Sequence, residues 1–201
     1  MYNTLMPKIV NHDARRIELA AAACEAIVRF GIDKLTMKDV GKVAGYTTGV
    51  LTHYFANKDQ LMGAACDYAW DGIQEKMALR LAQDEPDYVG YLSELLPISA
   101  ENRTAVVVWF HFWLRGLHSP TLAERHRVNR EAWLAKLADV LVAMQVKGEI
   151  GAGLVISVEI EPLDAFINGL ALRAILEPDD WSAERQLSEL RRYLKRLHTL
   201  S

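Results

Sequence analysis

The sequence predicts an all-α protein: a three-helix head followed by a larger helical body, about nine helices in total. Three observations carry this. Apolar residues recur at spacings of three and four along most of the 201 positions. Capping residues, glycines and prolines divide that pattern into segments with short connections. One run, Thr36 to Leu61, reads as two short helices joined by a glycine turn, with another helix starting directly after it.

The first helix is expected from about Asp13 to Arg29, with Ile17, Ala20, Ala21, Cys24, Ile27 and Val28 inward and Gly31 ending it. Thr36 suits the N-cap of the next, since its hydroxyl can accept from an orphan N–H of the first turn. Val40, Val43 and Ala44 share one face of that helix, and Gly45 fits the left-handed position after it. Thr47 or Thr48 can cap a helix of about two turns that buries Val50, Leu51, Tyr54 and Phe55. Asn57 caps a fourth helix running to about Gln83, stopped by Asp84-Glu85-Pro86-Asp87.

Further helices are expected over Tyr88–Leu96, Glu101–His118, Thr121–Val146, Pro162–Leu176 and Ser182–His198. Pro162 suits a first-turn position. Leu154–Ile160 is a short β-branched run after glycines, read as a connector or the start of a helix. The head is assigned to residues 1–56 and the body to residues 57–201.

The helix between Gly45 and Asn57 is too short and too rich in threonine and glycine to serve as a core element. Its exposed face offers Thr47, Thr48, Thr52, His53 and part of Tyr54, with Gly49 between them. Such groups suit phosphates and base edges, and Thr36, Lys38 and Lys58 flank them as candidate phosphate holders. A plain helical hairpin inside a larger bundle is the competing interpretation.

Charge favours the first. The chain carries a net −3, but residues 1–60 hold +2 and residues 61–201 hold −5. That polarity fits a head facing phosphates and a body kept off them.

The segment Ala105–Leu114 is apolar nearly all round, as in a helix central to a bundle. Trp109 and Trp113 are four apart and are expected to stack on one face beside Phe112. Trp133, Tyr91 and Trp70 can converge on the same space, and indole faces suit a quaternary ammonium ion. His111 is a candidate polar contact to a ligand; its spacing to Arg115 and His118 makes no metal site, and none is expected. Simple core filling competes with the ligand interpretation for each ring.

Two apolar stripes close the chain, one with Leu163, Phe166, Ile167, Leu170, Ala174 and Ile175, the other with Leu187, Leu190, Tyr193, Leu194 and Leu197. Cys24 and Cys66 form no CxxC pair and read as buried reduced thiols. Met1–Val10 lacks the apolar core of a secretory leader, and no apolar run approaches the ~20 residues of a membrane span. A soluble cytoplasmic protein is expected.

The run Thr36–Leu61, with Tyr54-Phe55 closing its short helix and Asn57-Lys58-Asp59-Gln60-Leu61 opening the next, resembles the DNA-binding head of the TetR family. The likeness extends to the choline-responsive members at Met6-Pro7-Lys8, Thr48–Phe55, Trp109–Trp113 with His118 and Pro120, and Gly169–Ala174. It implies a ligand-responsive repressor that leaves a palindromic double-stranded DNA operator when a small molecule binds, needs no cofactor and performs no catalysis. Direct carry-over covers Gly49, His53, Tyr54 and Lys58. The effector implied is choline, or another cation or hydrophobic compound, bound near Trp109, Phe112, Trp113, Trp133, Tyr91 and His111. The last two helices would pair with a second copy through Phe166, Ile167, Leu170, Ile175, Leu190, Tyr193 and Leu194. Two departures stand out: Thr52 replaces a tyrosine common in the family, and Ala171 stands where the choline-responsive pattern has a tryptophan. A ligand-binding helical protein without DNA binding, or a helical enzyme using His111 and Arg115, are the rival classes. No nucleophile–base spacing or phosphate loop supports the enzyme.

Overall fold

The computed structural model describes residues 12–32 and 34–199. The likeness at Met6-Pro7-Lys8 and the expectation about Met1–Val10 lie outside these residues. Among the described residues there are nine helices and no strand. They are α1 (His12–Phe30), α2 (Met37–Ala44), α3 (Thr48–Tyr54), α4 (Lys58–Leu81), α5 (Tyr88–Ser93), α6 (Ala100–Gly116), α7 (Pro120–Val146), α8 (Ile156–Leu176) and α9 (Ala183–Thr199). The chain divides into two compact units at Tyr68/Ala69, within α4. The head expected over 1–56 lies in the first unit, which also takes the beginning of α4.

In the first unit α1 packs on α2, and α2 on α3. Leu19, Ala23, Ile27, Val40, Leu51, Phe55, Met62 and Ala65 form its core. The buried arc of α1 centres on Ala23, Ala26 and Ile27, which turns it away from the expected inward positions Ile17 and Val28; both are exposed and Ala21 is half-buried. In so alanine-rich a helix several faces have similar apolarity, so periodicity alone did not select the right one. The Cys24 thiol sits in this core and donates to the Ala65 carbonyl at 3.2 Å.

The α2–α3 corner depends on two glycines. Gly45 adopts φ 73°, a left-handed conformation that a side chain would strain. Gly41 matters for closeness instead: a Cβ there would lie 2.7 Å from the Tyr46 carbonyl oxygen. Tyr46 N–H returns to the Gly41 carbonyl at 2.8 Å and so fixes the corner.

In the second unit α7 packs between α6 and α8, α9 packs on α5 and α8, and the core includes Leu92, Leu96, Val108, Phe112, Leu137, Leu141, Leu163 and Leu190. The β-branched run after the glycines begins α8, so Pro162 lies inside that helix rather than in its first turn. Packing overrides the strand-like sequence here: Ile156, Glu159 and Ile160 turn partly inward in register with the buried Leu163 and Ile167. The turn before it is held by Gln145, whose amide donates to the carbonyls of Gly151 at 2.9 Å and Leu154 at 3.0 Å.

A polar knot joins the later part of α4 to its neighbours. Arg80 donates twice to Glu94 Oε1, at 3.0 and 2.8 Å, and the buried Asn102 amide donates to Glu94 Oε2 at 3.0 Å. Lys76 completes it on Asn102 Oδ1 at 2.8 Å. Burying Glu94 is tolerable only because these donors replace its water. No helix among the described residues is long and apolar enough to cross a membrane.

Candidate nucleic-acid interface and ligand cavity

Local chemistry sets α3, the candidate recognition helix. Thr36 and Asp39 form a reciprocal capping box at α2: Asp39 N–H donates to Thr36 Oγ1, and Thr36 N–H to Asp39 Oδ2, both at 3.2 Å. The Thr36 hydroxyl, chiefly, holds the Asp39 carboxyl below its usual range. Thr47 occupies the N-cap of α3 with extended backbone, but its side chain makes no capping bond; neither does Thr48 cap it. The hydroxyl of Thr47 is thus not consumed by the helix start, as the expectation of a capping role supposed. Leu51 and Phe55 are fully buried and pin the helix, while Val50 and Tyr54 are half-buried.

That anchoring leaves Thr47, Thr48, Gly49, Thr52 and His53 together on the exposed side, with Lys38 also exposed on α2. Thr52 Oγ1 donates to the Gly49 carbonyl at 3.1 Å. Lys58, expected to hold a phosphate, is half-buried, and its ammonium donates to the Ile32 carbonyl at 2.5 Å. Asn57 caps α4 through Gln60 N–H at 2.9 Å.

Sequence reasoning missed the part played by α1. Arg16 donates to the Tyr54 carbonyl at 3.1 Å and lies 4.7 Å above the Phe55 ring. Arg15 lies 4.3 Å from the Tyr46 ring centre. His12 packs near the rings of both His53 and Tyr54. The adjacent Arg15-Arg16 pair near the start of α1 was the available signal.

In the second unit a cavity of about 300 Å³ is lined by Trp70, Gln74, Met77, Ala78, Leu81, Tyr91, Trp133, Lys136, Asp139 and Val140. Of the six expected ligand residues, Tyr91 and Trp133 line it. Trp109 backs it, meeting Trp70 edge-on with centroids 5.5 Å apart, and Trp70 meets Trp133 likewise at 5.8 Å. Trp109 and Trp113 do not stack together: Trp113 packs on Phe110 and His126 instead, because spacing four leaves each ring to follow a different neighbouring helix. Phe112 is core, His111 is half-buried, and Ala171 is buried on α8; none of the three lines the cavity. Trp70 lines the cavity, in the space the sequence allowed it, whereas Met77 and Lys136 are lining residues that a focus on α6 obscured.

Electrostatics at the cavity mix both signs. Burial first, then the Asp139 charge, pushes the Tyr91 hydroxyl up. Lys136 donates to Gln74. Behind the wall, Trp133 Nε1 donates to the buried Asp164 at 2.8 Å. Burial, followed by Arg130, lowers the basicity of His126, with Asp164 opposing. Among the described residues no group of His, Cys, Asp and Glu could hold a metal ion.

The expected pairing residues divide. Ile167, Leu170, Leu190, Tyr193 and Leu194 are buried within the unit, while Phe166 and Ile175 are half-exposed. Phe166 stacks on Tyr193 with centroids 4.4 Å apart. A separate row on α8 stays exposed: Val158, Pro162, Ala165, Gly169, Leu172 and Leu176. Its spacing alternates four and three, the repeat of a helix–helix seam.

Comparison with known proteins bears on the family and the fold. The model for bacterial regulatory proteins of the tetR family matches residues 19–65, and that for the BetI-type transcriptional repressor C-terminal domain matches residues 88–199. The HTH-type transcriptional regulator BetI of Stenotrophomonas maltophilia is 28% identical over 186 residues, 90% of this chain and 91% of that protein. A transcriptional regulator from Rhodococcus sp. Rha1 superposes with TM-score 0.80 at 24% identity, over 92% of this chain and 96% of its own. A transcriptional regulator from Saccharomonospora viridis in complex with choline superposes with TM-score 0.75 at 16% identity, covering 91% and 96%.

Proposed function

Because the chain belongs to the TetR family of transcriptional regulators and carries a BetI-type body, we propose that it is a dimeric repressor whose α3 enters the DNA major groove. The observation that carries this is the exposed row Thr47, Thr48, Gly49, Thr52 and His53 on a two-turn helix whose opposite side is pinned by Leu51 and Phe55. A helix so built has no packing use for its polar side. Thr36 and Lys38 would fix position on phosphates, and the α3 row and Tyr54 would meet base edges or backbone. Lys58 serves the head as a brace on the Ile32 carbonyl beside this surface.

The effector would occupy the cavity walled by Trp70, Trp133 and Tyr91. The aromatic faces suit an organic cation, with Asp139 offsetting Lys136 in the lining and each cation–π contact supplying roughly 0.5–2 kcal/mol. Choline is the first candidate, in view of the choline complex of the Saccharomonospora viridis regulator. Occupancy must favour one head separation over another to change operator affinity. Pairing of two copies along Val158–Leu176 of α8, with Phe166 and Ile175 beside it, would match a palindromic site.

The test is a mobility shift with DNA flanking the protein's own gene, repeated at increasing salt and with choline. Binding that weakens steeply with salt is expected, since phosphate contacts release counterions. A flat salt response removes the DNA-reading head. Calorimetric titration that yields neither heat nor altered DNA affinity removes choline.

A further inference from the structure

His12 and His53 come from helices far apart in sequence, yet their ring centroids lie 6.0 Å apart. Tyr54 holds them there. Its ring lies 5.6 Å from His12 and 5.2 Å from His53, the latter contact edge-on at 89°. The Tyr54 carbonyl in turn accepts from Arg16, one turn after His12 on α1. The first turn of α1 and the end of α3 are therefore tied into one surface, and both imidazoles are exposed on it. Neither ring is needed for the core, which Phe55 and Leu51 already fill.

The geometry points to His12 and His53 as a proton-dependent phosphate-binding pair that extends the DNA face from α3 onto α1. This rests on the proposed reading of α3 as the DNA-reading helix.

Imidazole is the side chain that changes charge in the neutral range. A neutral ring offers one N–H donor, whereas a protonated ring offers two and a positive charge. A phosphate between the two rings accepts from both and favours their charged forms. Protonation and DNA binding must then reinforce each other by linkage, so acidification tightens binding. Among the described residues, Asp13, Arg15 and Arg16 follow His12 on α1, and Tyr54 on α3 touches both rings. Arg16 adds a fixed cation that favours the phosphate. It is occupied by the Tyr54 carbonyl and the Phe55 face, which makes it a positioning residue for the two rings.

The consequence is read in both pH and salt. Each new phosphate contact steepens the fall of log affinity with log salt by about 0.9. The experiment uses the full chain and a labelled duplex from the DNA flanking its own gene, with anisotropy measured at pH 6, 7 and 8 over a salt series. Wild-type protein should bind on the order of tenfold more tightly at pH 6 than at pH 8 in moderate salt, with a steeper salt slope at pH 6. His12→Gln and His53→Gln should each lose part of that gain, and the double variant should lose it all, while thermal melts at each pH match wild type. Binding that is flat in pH, or a gain that survives in the double variant, overturns the pair but leaves the α3 reading intact. No binding at any pH overturns both.

Discussion

Trp133 reaches across from α7 to donate its indole N–H to Asp164 of α8, at 2.8 Å and out of solvent. That bond fixes the orientation of a ring whose other side forms part of the cavity wall. A ring fixed in this way meets a ligand without first losing rotational freedom, which favours affinity by preorganisation. It also makes α7 and α8 respond together to anything that displaces the ring.

Replacing Trp133 with Phe keeps an aromatic face but deletes the donor. Asp164 then loses its indole donor and keeps the more distant Arg130, at 3.8 Å. Leaving a buried acceptor short of its donor costs about 1–3 kcal/mol. The expected result is a lower urea midpoint together with weaker binding of choline. Unchanged stability would show that Asp164 finds a replacement partner.

Arg80→Met tests the knot around Glu94. It leaves a carboxylate 5% exposed with only the Asn102 amide as side-chain donor. Breaking a buried ion pair costs roughly 3–5 kcal/mol, and the partial exposure of Arg80 argues for about 3. Adding Glu94→Leu should recover much of the loss, because it removes the stranded charge. Denaturant unfolding of the two variants separates these outcomes.

The sequence revealed most where local chemistry acts alone. Thr36, Gly45 and Asn57 could be assigned from their own side-chain or backbone demands, and the structure uses each as expected. It revealed less where the answer depends on which neighbour a face meets. Trp109 and Trp113 share a helix face in principle, yet each follows a different partner helix. Most residues of the two closing stripes satisfy one another within a single chain, and the free apolar row of Leu172 and Leu176 became visible only once that packing was known. Gly41 was silent for a related reason: nothing in a helical window announces that a carbonyl five residues on will come within 2.7 Å of its missing Cβ.

Gly41→Ala follows from that distance. By helix propensity alone, alanine should stabilise α2 by about 1 kcal/mol. Here the new methyl meets backbone rather than a movable side chain tip, and overpacking of that kind costs roughly 1–3 kcal/mol. Net destabilisation of the head and weakened DNA binding are expected. A raised melting temperature would show that the corner opens cheaply.

Leu172→Arg combined with Leu176→Arg addresses the exposed row on α8. These side chains are 42% and 70% exposed, so the fold of one chain should survive, as circular dichroism would report. Sedimentation should show a monomer where wild type is a dimer, with DNA affinity lowered because two half-sites can no longer be held at once. A variant that remains dimeric places the pairing surface elsewhere.

Cys24 supplies a pH prediction. Burial pushes its thiol from 9.0 up to about 12, opposed by a backbone hydrogen bond. The folded state therefore keeps the proton after the unfolded chain has released it. Stability from this group is fully present below about pH 9 and declines as the pH rises from 9 towards 12. The slope from one such group is at most about 1.4 kcal/mol per pH unit. Urea midpoints measured at pH 8.5 and 10 should fall more in wild type than in Cys24→Ala, which lacks the titrating group. The same burial shields the thiol from chemistry: at pH 8 it should resist a maleimide reagent in the native protein and react once unfolded, since only the thiolate attacks. Rapid native labelling of Cys24 would mean that α1 opens away from Ala65 far more often than a core helix should.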